Sequence, residues 1–299
     1  MSRVPKNGSV SGQSLLQDAL RRLRRNRMAM LGAYVTGSLI LLCFVGPVVI
    51  EVLFGYSYEG QDLVYGAQPP SLNHWFGTDF FGRDLLTRTL YGGRISLSVG
   101  LLAATVAAVI GSFYGAVSGY VGGRLDGLMM RFVDVVYALP YMFLVVVLIS
   151  VFDARSLGTL FLGLGLVGWL MTARIVRGQV LSLKEREFVV AARALGSSGV
   201  TIVLRHLIPN TFGPIIVYFT LTVPSMILQE AFLSFLGLGV QAPIPSLGAL
   251  INDGAQHMTV FWWELVFPGG LMAILLFALN FLGDGVRDAL DPQMRGREG

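Results

Sequence analysis

Six long apolar stretches constrain this chain more than any other feature, because a helix needs about 20 apolar residues to cross the hydrocarbon core of a bilayer. They run over about 28–50, 95–119, 132–152, 157–173, 211–235 and 265–282. With 54% of residues hydrophobic, 13% charged and a mean hydropathy of +0.67, an ordinary soluble domain is excluded. The expected fold is therefore an all-α integral membrane protein with six transmembrane helices. Pro140, Pro214, Pro224 and Pro268 are expected to kink or end helices, since proline removes an N–H and its ring crowds the preceding turn.

Basic residues are retained preferentially on the cytoplasmic side of a membrane, so their positions set the orientation. With the N-terminus inside, only Arg83, Arg88, Arg94 and Arg155 of the 22 Lys and Arg residues fall outside. Both termini are then cytoplasmic. The net charge of +4 has a topological origin on this reading, and a nucleic-acid partner is not expected. The chain divides into an amphipathic cytoplasmic segment 1–27, a first span 28–50, an extracytoplasmic insert 51–94, a five-helix core 95–284 containing a cytoplasmic loop 174–210, and a cytoplasmic tail 285–299. In the first segment Leu15, Leu16, Ala19, Leu20 and Leu23 make an apolar stripe beside Arg21 to Arg25, which suits the lipid surface. The basic region lies far from the start and no small-x-small site follows the first span, so a cleaved secretory signal is disfavoured. The insert carries Pro69-Pro70 and several glycines and reads as a folded loop over the helix ends rather than an independent domain.

The loop is the one polar interruption with helical character. Phe188, Ala191, Ala192 and Leu195 share a helical face behind Glu187, and Gly196 can supply the left-handed residue that ends such a helix. Ser197 or Ser198 can cap a second helix, Val200 to Ile208, expected to stop before Pro209. Two adjacent alanines let another protein approach closely, so the segment reads as a docking element.

Within the spans, Ala103, Ala107, Gly111, Gly115 and Gly119 recur every four residues, which is the spacing of close helix packing in membranes. Glu230 sits in an apolar span, where a charge costs about 2.5 to 3.5 kcal/mol on insertion scales, and either meets a translocation path or makes a structural hydrogen bond to a neighbouring helix. Gly163-Leu164-Gly165-Leu166-Val167-Gly168 matches a dinucleotide-binding pattern but lies inside a span without the strand that pattern needs, and is assigned to packing. His74, His206 and His257 have no metal-ligand spacing, Cys43 is the only cysteine, and no P-loop exists; neither a metal nor a cofactor is expected on this chain. Ser118-Gly119 and Gly283-Asp284 lack the partners of an intramembrane protease. A helix-turn-helix reading of Ala192, Gly196 and Ile202 fails because both ends are tethered to spans and no third helix completes a core.

His74-Trp75-Phe76-Gly77-Thr78-Asp79, Gly82-Arg83-Asp84-Leu85-Leu86, Tyr91 to Leu97, Glu230 to Gly239 and Asp284 to Pro292 stand in an order similar to that of the binding-protein-dependent permeases of ATP-binding-cassette importers, in the dipeptide, oligopeptide and nickel branch. The loop keeps that family's spacing at Ala191, Ala192, Gly196 and Pro209, with Val190 in place of a glutamate and His206 and Ile208 in place of isoleucine and leucine. Leu247 departs from a Pro-Ser-Trp-Gly of the branch. The resemblance implies a type I importer permease fold in a bacterial inner membrane, and a coupling helix in which the charge contact of the missing glutamate is either absent or supplied by Glu187, one helical turn earlier. It also implies a second permease subunit, two cytoplasmic ATPases that bind the ATP, and an extracytoplasmic solute-binding protein. Di- or oligopeptides are the implied cargo, with nickel chelates, glutathione or another small solute as alternatives. No catalytic residue is implied.

Overall fold

A computed structural model describes residues 15–152 and 157–290. The expectations on residues 1–14, on Arg155 and on Arg295 and Arg297 lie outside the described residues. Among the described residues all regular structure is helical, in twelve helices: α1 (Leu15–Arg25), α2 (Arg27–Phe54), α3 (Leu85–Val121), α4 (Gly123–Ala138), α5 (Tyr141–Phe152), α6 (Leu157–Leu183), α7 (Glu187–Ala194), α8 (Gly199–Ile202), α9 (Ile208–Asn210), α10 (Phe212–Phe235), α11 (Leu247–His257) and α12 (Trp262–Leu290). Five of them, α2, α3, α6, α10 and α12, are long and apolar enough to cross a membrane unbroken.

The sixth stretch is broken rather than straight: α4 and α5 are together long and apolar enough for a span but meet at an angle of 91°, so the described residues hold five spans, or six with the bent pair taken as one. The cause is local: Leu139 is extended (φ −81°, ψ 143°), the conformation favoured before a proline, and Pro140 has no N–H to carry the helix on. With 12 residues α5 rises only about 18 Å, short of the roughly 30 Å of a hydrocarbon core. The other prolines behave differently. Pro224 and Pro268 lie within α10 and α12, and Pro214 sits in the first turn of α10, where no partner is needed for an N–H.

Two boundaries also move. Helix α3 starts at Leu85, so residues 85–94 of the insert are helical; Asp84 caps it, its Oδ2 accepting from Thr87 N at 2.8 Å and Thr87 Oγ1 at 2.6 Å. Helix α12 runs on to Leu290, taking in the first residues of the expected tail. Between α10 and α12 lies the 11-residue α11, capped by Ser246, whose Oγ accepts from Ala249 N at 3.2 Å.

Helices α3 and α6 form the centre. The stripe Ala103, Ala107, Gly111, Gly115, Gly119 lies against α6 of the same chain: a Cβ on Gly111 would stand 2.7 Å from Trp169 O, and one on Gly119 would stand 2.9 Å from Arg177 O. A Cβ on Gly165 of α6 would likewise stand 2.9 Å from Ala103 O. Helix α10 packs on α3, α12 on α10, and α2 on α12 through Gly32, whose Cβ would fall 2.7 Å from Ala278 O. Leu23 of α1 reaches Gly285 near the end of α12.

The insert is held on the ends of α3 and α12 by buried charges. The Asp79 carboxylate accepts from Phe81 N (2.9 Å) and Arg83 N (3.0 Å) and pairs with Arg83 Nε (2.7 Å) and Arg88 Nε (3.3 Å). Trp263 Nε1 donates to Thr78 O at 3.0 Å, and Phe76 stacks on Phe267 at 4.1 Å.

The α3–α6 contact leaves no room for a side chain, so Gly111→Leu is expected to destabilise the fold by at least about 1–3 kcal/mol, the usual cost of overpacking. Gly127, which faces open space, is the control. Thermal unfolding in detergent should fall for Gly111→Leu and stay within error for Gly127→Leu; equal midpoints would show that the helices separate without cost.

Candidate functional site: a two-helix loop seated on the span ends

After α6 the chain turns through residues 184–186 into the eight-residue α7. Its C-terminal end is closed by a Schellman arrangement: Ser197 N donates to Ala192 O (3.0 Å) and Gly196 N to Arg193 O (3.0 Å), with Gly196 at φ +82°. Ser198 caps α8, accepting from Thr201 N at 3.2 Å. The helix then does not stop before Pro209. Residues Val203–Leu207 form a π-helical turn in which Ile208 N donates to Val203 O, and α9 follows directly, so a helical path reaches Asn210. The wide turn shifts the hydrogen-bond register by one residue, which lets the proline enter without orphaning a carbonyl beneath it.

The inward side of this loop is a small hydrophobic core of its own. Val189 (0% exposed) and Ala192 (8%) of α7 meet Ile202, Val203 and Leu207, and the set packs on Ala116 of α3, Val176 and Val180 of α6 and Ile215 of α10. This corrects the expected docking face. Ala192 lies one step round the helix from Phe188, Ala191 and Leu195, on the stripe of Val189, and its methyl group serves the chain's own core. Phe188, Ala191 and Leu195 are exposed, Leu195 by 87%, as are Glu187 and Val190. The free face is thus Phe188, Ala191 and Leu195, with Glu187 at its N-terminal edge and Gly196 at its other end.

Polar contacts tie the loop and the neighbouring helices together. Lys184 Nζ donates to Gly119 O (3.1 Å), the last residue of the small stripe. The Arg193 guanidinium lies over the Tyr120 ring at 5.8 Å, and Gly199 abuts the same ring. Arg177 of α6 grips Asp126 of α4 with two bonds of 2.6 and 2.7 Å, Ser118 adding a third at 2.6 Å, and Arg174 reaches Asp134 at 2.7 Å. The exposed Arg174 pair contributes little, about 0–1 kcal/mol; the bidentate Arg177 pair fixes geometry as well.

Glu230 occupies a second place, inside the helices. It is 0% exposed. Its Oε2 accepts from Ser96 Oγ of α3 (2.7 Å) and its Oε1 from Ser234 Oγ of α10 (2.7 Å). Ser234 Oγ also contacts the cap residue Ser246 at 3.1 Å, and Ser96 Oγ accepts from Leu247 N at 3.2 Å. The carboxylate therefore joins α3, α10 and α11, which is the arrangement of a structural hydrogen bond between helices. Sequence reading singled out Glu230 but not its partners. It also missed the cluster at the far end, where His257 Nδ1 lies 3.4 Å from the buried Glu264 carboxylate.

Among the described residues no three His, Cys, Asp or Glu side chains gather as a metal site. The arrangement is an exposed, partly apolar face joined through a private core to three long helices.

Residues 107–296 match the family of binding-protein-dependent transport system inner membrane components, and residues 14–70 match the N-terminal TM domain of oligopeptide transport permease C. A dipeptide transport system permease protein of Bacillus subtilis is 48% identical over 283 residues, covering 94% of this chain and 87% of that protein. An oligopeptide transport system permease protein of Salmonella typhimurium is 51% identical over 286 residues, covering 96% and 94%. In fold, a chain of the MetNI methionine ABC transporter, solved in inward-facing conformations, superposes with a TM-score of 0.55 at 20% identity over 69% of this chain and 96% of that one.

An amide in place of the Glu230 carboxylate can still bond both serines, so Glu230→Gln is expected to keep the fold within about 1 kcal/mol. Glu230→Leu leaves Ser96 and Ser234 without their acceptor and is expected to cost about 2–5 kcal/mol. Thermal unfolding of the two variants separates a structural bond from a carboxylate held for its charge alone, which the amide could not replace.

Proposed function

The chain belongs to the family of binding-protein-dependent transport system inner membrane components, and we propose that it is one of two permease subunits of an ATP-driven importer for di- or oligopeptides. A permease subunit is the conducting, non-catalytic part of such a transporter. Its partners are a second, similar permease, two cytoplasmic ATPases that bind and hydrolyse ATP, and an extracytoplasmic protein that delivers the solute. The peptide cargo is supported by the names of the relatives, which are dipeptide and oligopeptide permeases.

The observation that carries the coupling role is the loop's two-sided build. Phe188, Ala191 and Leu195 face away from the chain, while Val189 and Ala192 on the other side are locked to α3, α6 and α10. An ATPase gripping the free face moves the loop as a unit, and the shared core passes that displacement to the ends of three spans. Rigid-body motion of packed helices is the ordinary output of such a joint. Glu187, exposed on the first turn of α7, supplies the negative charge that Val190 does not. The Glu230 knot moves with the spans rather than touching cargo.

The reading requires residues 184–211 on the cytoplasmic side and the insert outside, which the distribution of basic residues supports. Reporters fused after Arg27 and Lys184 should read cytoplasmic and one near Tyr65 external; a cytoplasmic signal at Tyr65 would invert the whole scheme.

In the reconstituted importer, Ala191→Trp should obstruct the free face, and Gly196→Val should strain the left-handed turn by about 1–2 kcal/mol. Both should lower solute-stimulated ATP hydrolysis and uptake together, leaving membrane insertion and binding of the solute-binding protein unchanged. Glu187→Ala should weaken association of the ATPases. Normal uptake by Ala191→Trp would remove this face from the coupling surface, and unchanged association for Glu187→Ala would end the role of that carboxylate.

A further inference from the structure

On the insert side of the molecule, α2 stands away from α12 and leaves a cleft of about 870 Å³. One wall is Val45, Val49 and Leu53 of α2, the other Phe267, Leu271 and Ile274 of α12, and the floor is Leu90 of α3. These residues belong to helices long and apolar enough to cross a membrane. The character of the cleft changes along its length. The deep part, from Leu41 upward, is wholly apolar, whereas the end beneath the insert is lined by Tyr56, Asn73, Trp75 and the cap residue Asp84. Trp75 is 62% exposed there, although a tryptophan with an apolar neighbour normally buries itself. Tryptophan and tyrosine concentrate at the depth of lipid headgroups, where one side of the ring is apolar and the other wet.

We propose that this cleft is a binding site for a membrane phospholipid, with its acyl chains along Val45, Val49 and Ile274 and its headgroup at Tyr56, Asn73 and Trp75. Two observations select that occupant over a helix of a partner subunit. The cleft runs from Leu41 to Phe54, a rise of roughly 20 Å, which matches one leaflet of hydrocarbon plus the start of the headgroup layer. The polarity gradient is also that of a lipid, apolar along the slot and polar only at its mouth. Gly270, on the α12 wall, has nothing within 4 Å of its Cβ position and keeps the slot open. The bound lipid fills the gap between α2 and the body of the permease, and the site is independent of how the loop couples to ATPases.

The test uses the complete transporter in nanodiscs of phosphatidylethanolamine and phosphatidylglycerol, doped with phosphatidylethanolamine carrying a photoreactive acyl chain. After illumination, mass spectrometry should find label on α2 and α12 at the cleft several-fold above that on other exposed span positions such as Leu102 and Val109. Gly270→Leu, filling the slot from one wall, should reduce the cleft label several-fold while leaving Leu102 and Val109 unchanged. Val49→Trp fills it from the opposite, exposed wall and carries the same expectation should Gly270→Leu fail to assemble. Cleft labelling equal to that at Leu102 would overturn the proposal, as would labelling unaffected by the filling variants. So would efficient cross-linking of a photoreactive residue at position 49 to the partner permease, which would place a protein helix in the slot.

Discussion

The contact on which the rest of the molecule depends is the backbone-to-backbone approach of α3 and α6. Hydrocarbon is as apolar as leucine, so burying leucine between two membrane helices yields no hydrophobic gain, and dense packing must supply the attraction. Gly111, Gly115 and Gly119 remove the side chains that would hold the helices apart, and the α6 carbonyls of Trp169, Ala173 and Arg177 settle into the space. Every later feature inherits this pairing. Helix α6 leads directly into the loop, the end of α3 receives that loop through Tyr120 and the Gly119 carbonyl, and α10 closes the set.

The loop therefore has a seat of its own although it lies between spans. Three helix ends held side by side present an apolar floor, and α7, α8 and the π-helical turn cover it, so one core system lies among the spans and a second under the loop. The buried Glu230 does comparable work at the opposite end of α10, where hydrogen bonds replace dispersion and bring α11 into register with α3.

The sequence displayed some of this clearly and concealed the rest for physical reasons. The unbroken spans were legible because length and apolarity suffice for them. The start of α3 was hidden because Arg88 and Arg94 interrupt its apolar run; Arg88 is tolerated there only through Asp79 and the Tyr58 carbonyl, which are contributed by the insert. Helix α11 had its own signal, a capping serine followed by Leu247, Leu250 and Ile251 at helical spacing, but in a chain so apolar the short pattern does not stand out. For α7, both faces are apolar. Which of Ala191 and Ala192 is free depends on where the floor lies, and no local pattern contains that. The partners of Glu230 had the same difficulty, Ser96 being 134 residues away.

The corner between α4 and α5 has a consequence for the medium around it. At Pro140 the hydrogen-bond ladder is interrupted, and residues 137–140 are all exposed on this chain. A carbonyl freed there cannot face lipid tails, since an unpaired backbone group in hydrocarbon costs several kcal/mol. The neighbour of this elbow must therefore be something that donates hydrogen bonds, either water or a second polypeptide. A single proline thus sets a wettable edge on an otherwise oily surface, and the oil of the bilayer has to end where that edge begins.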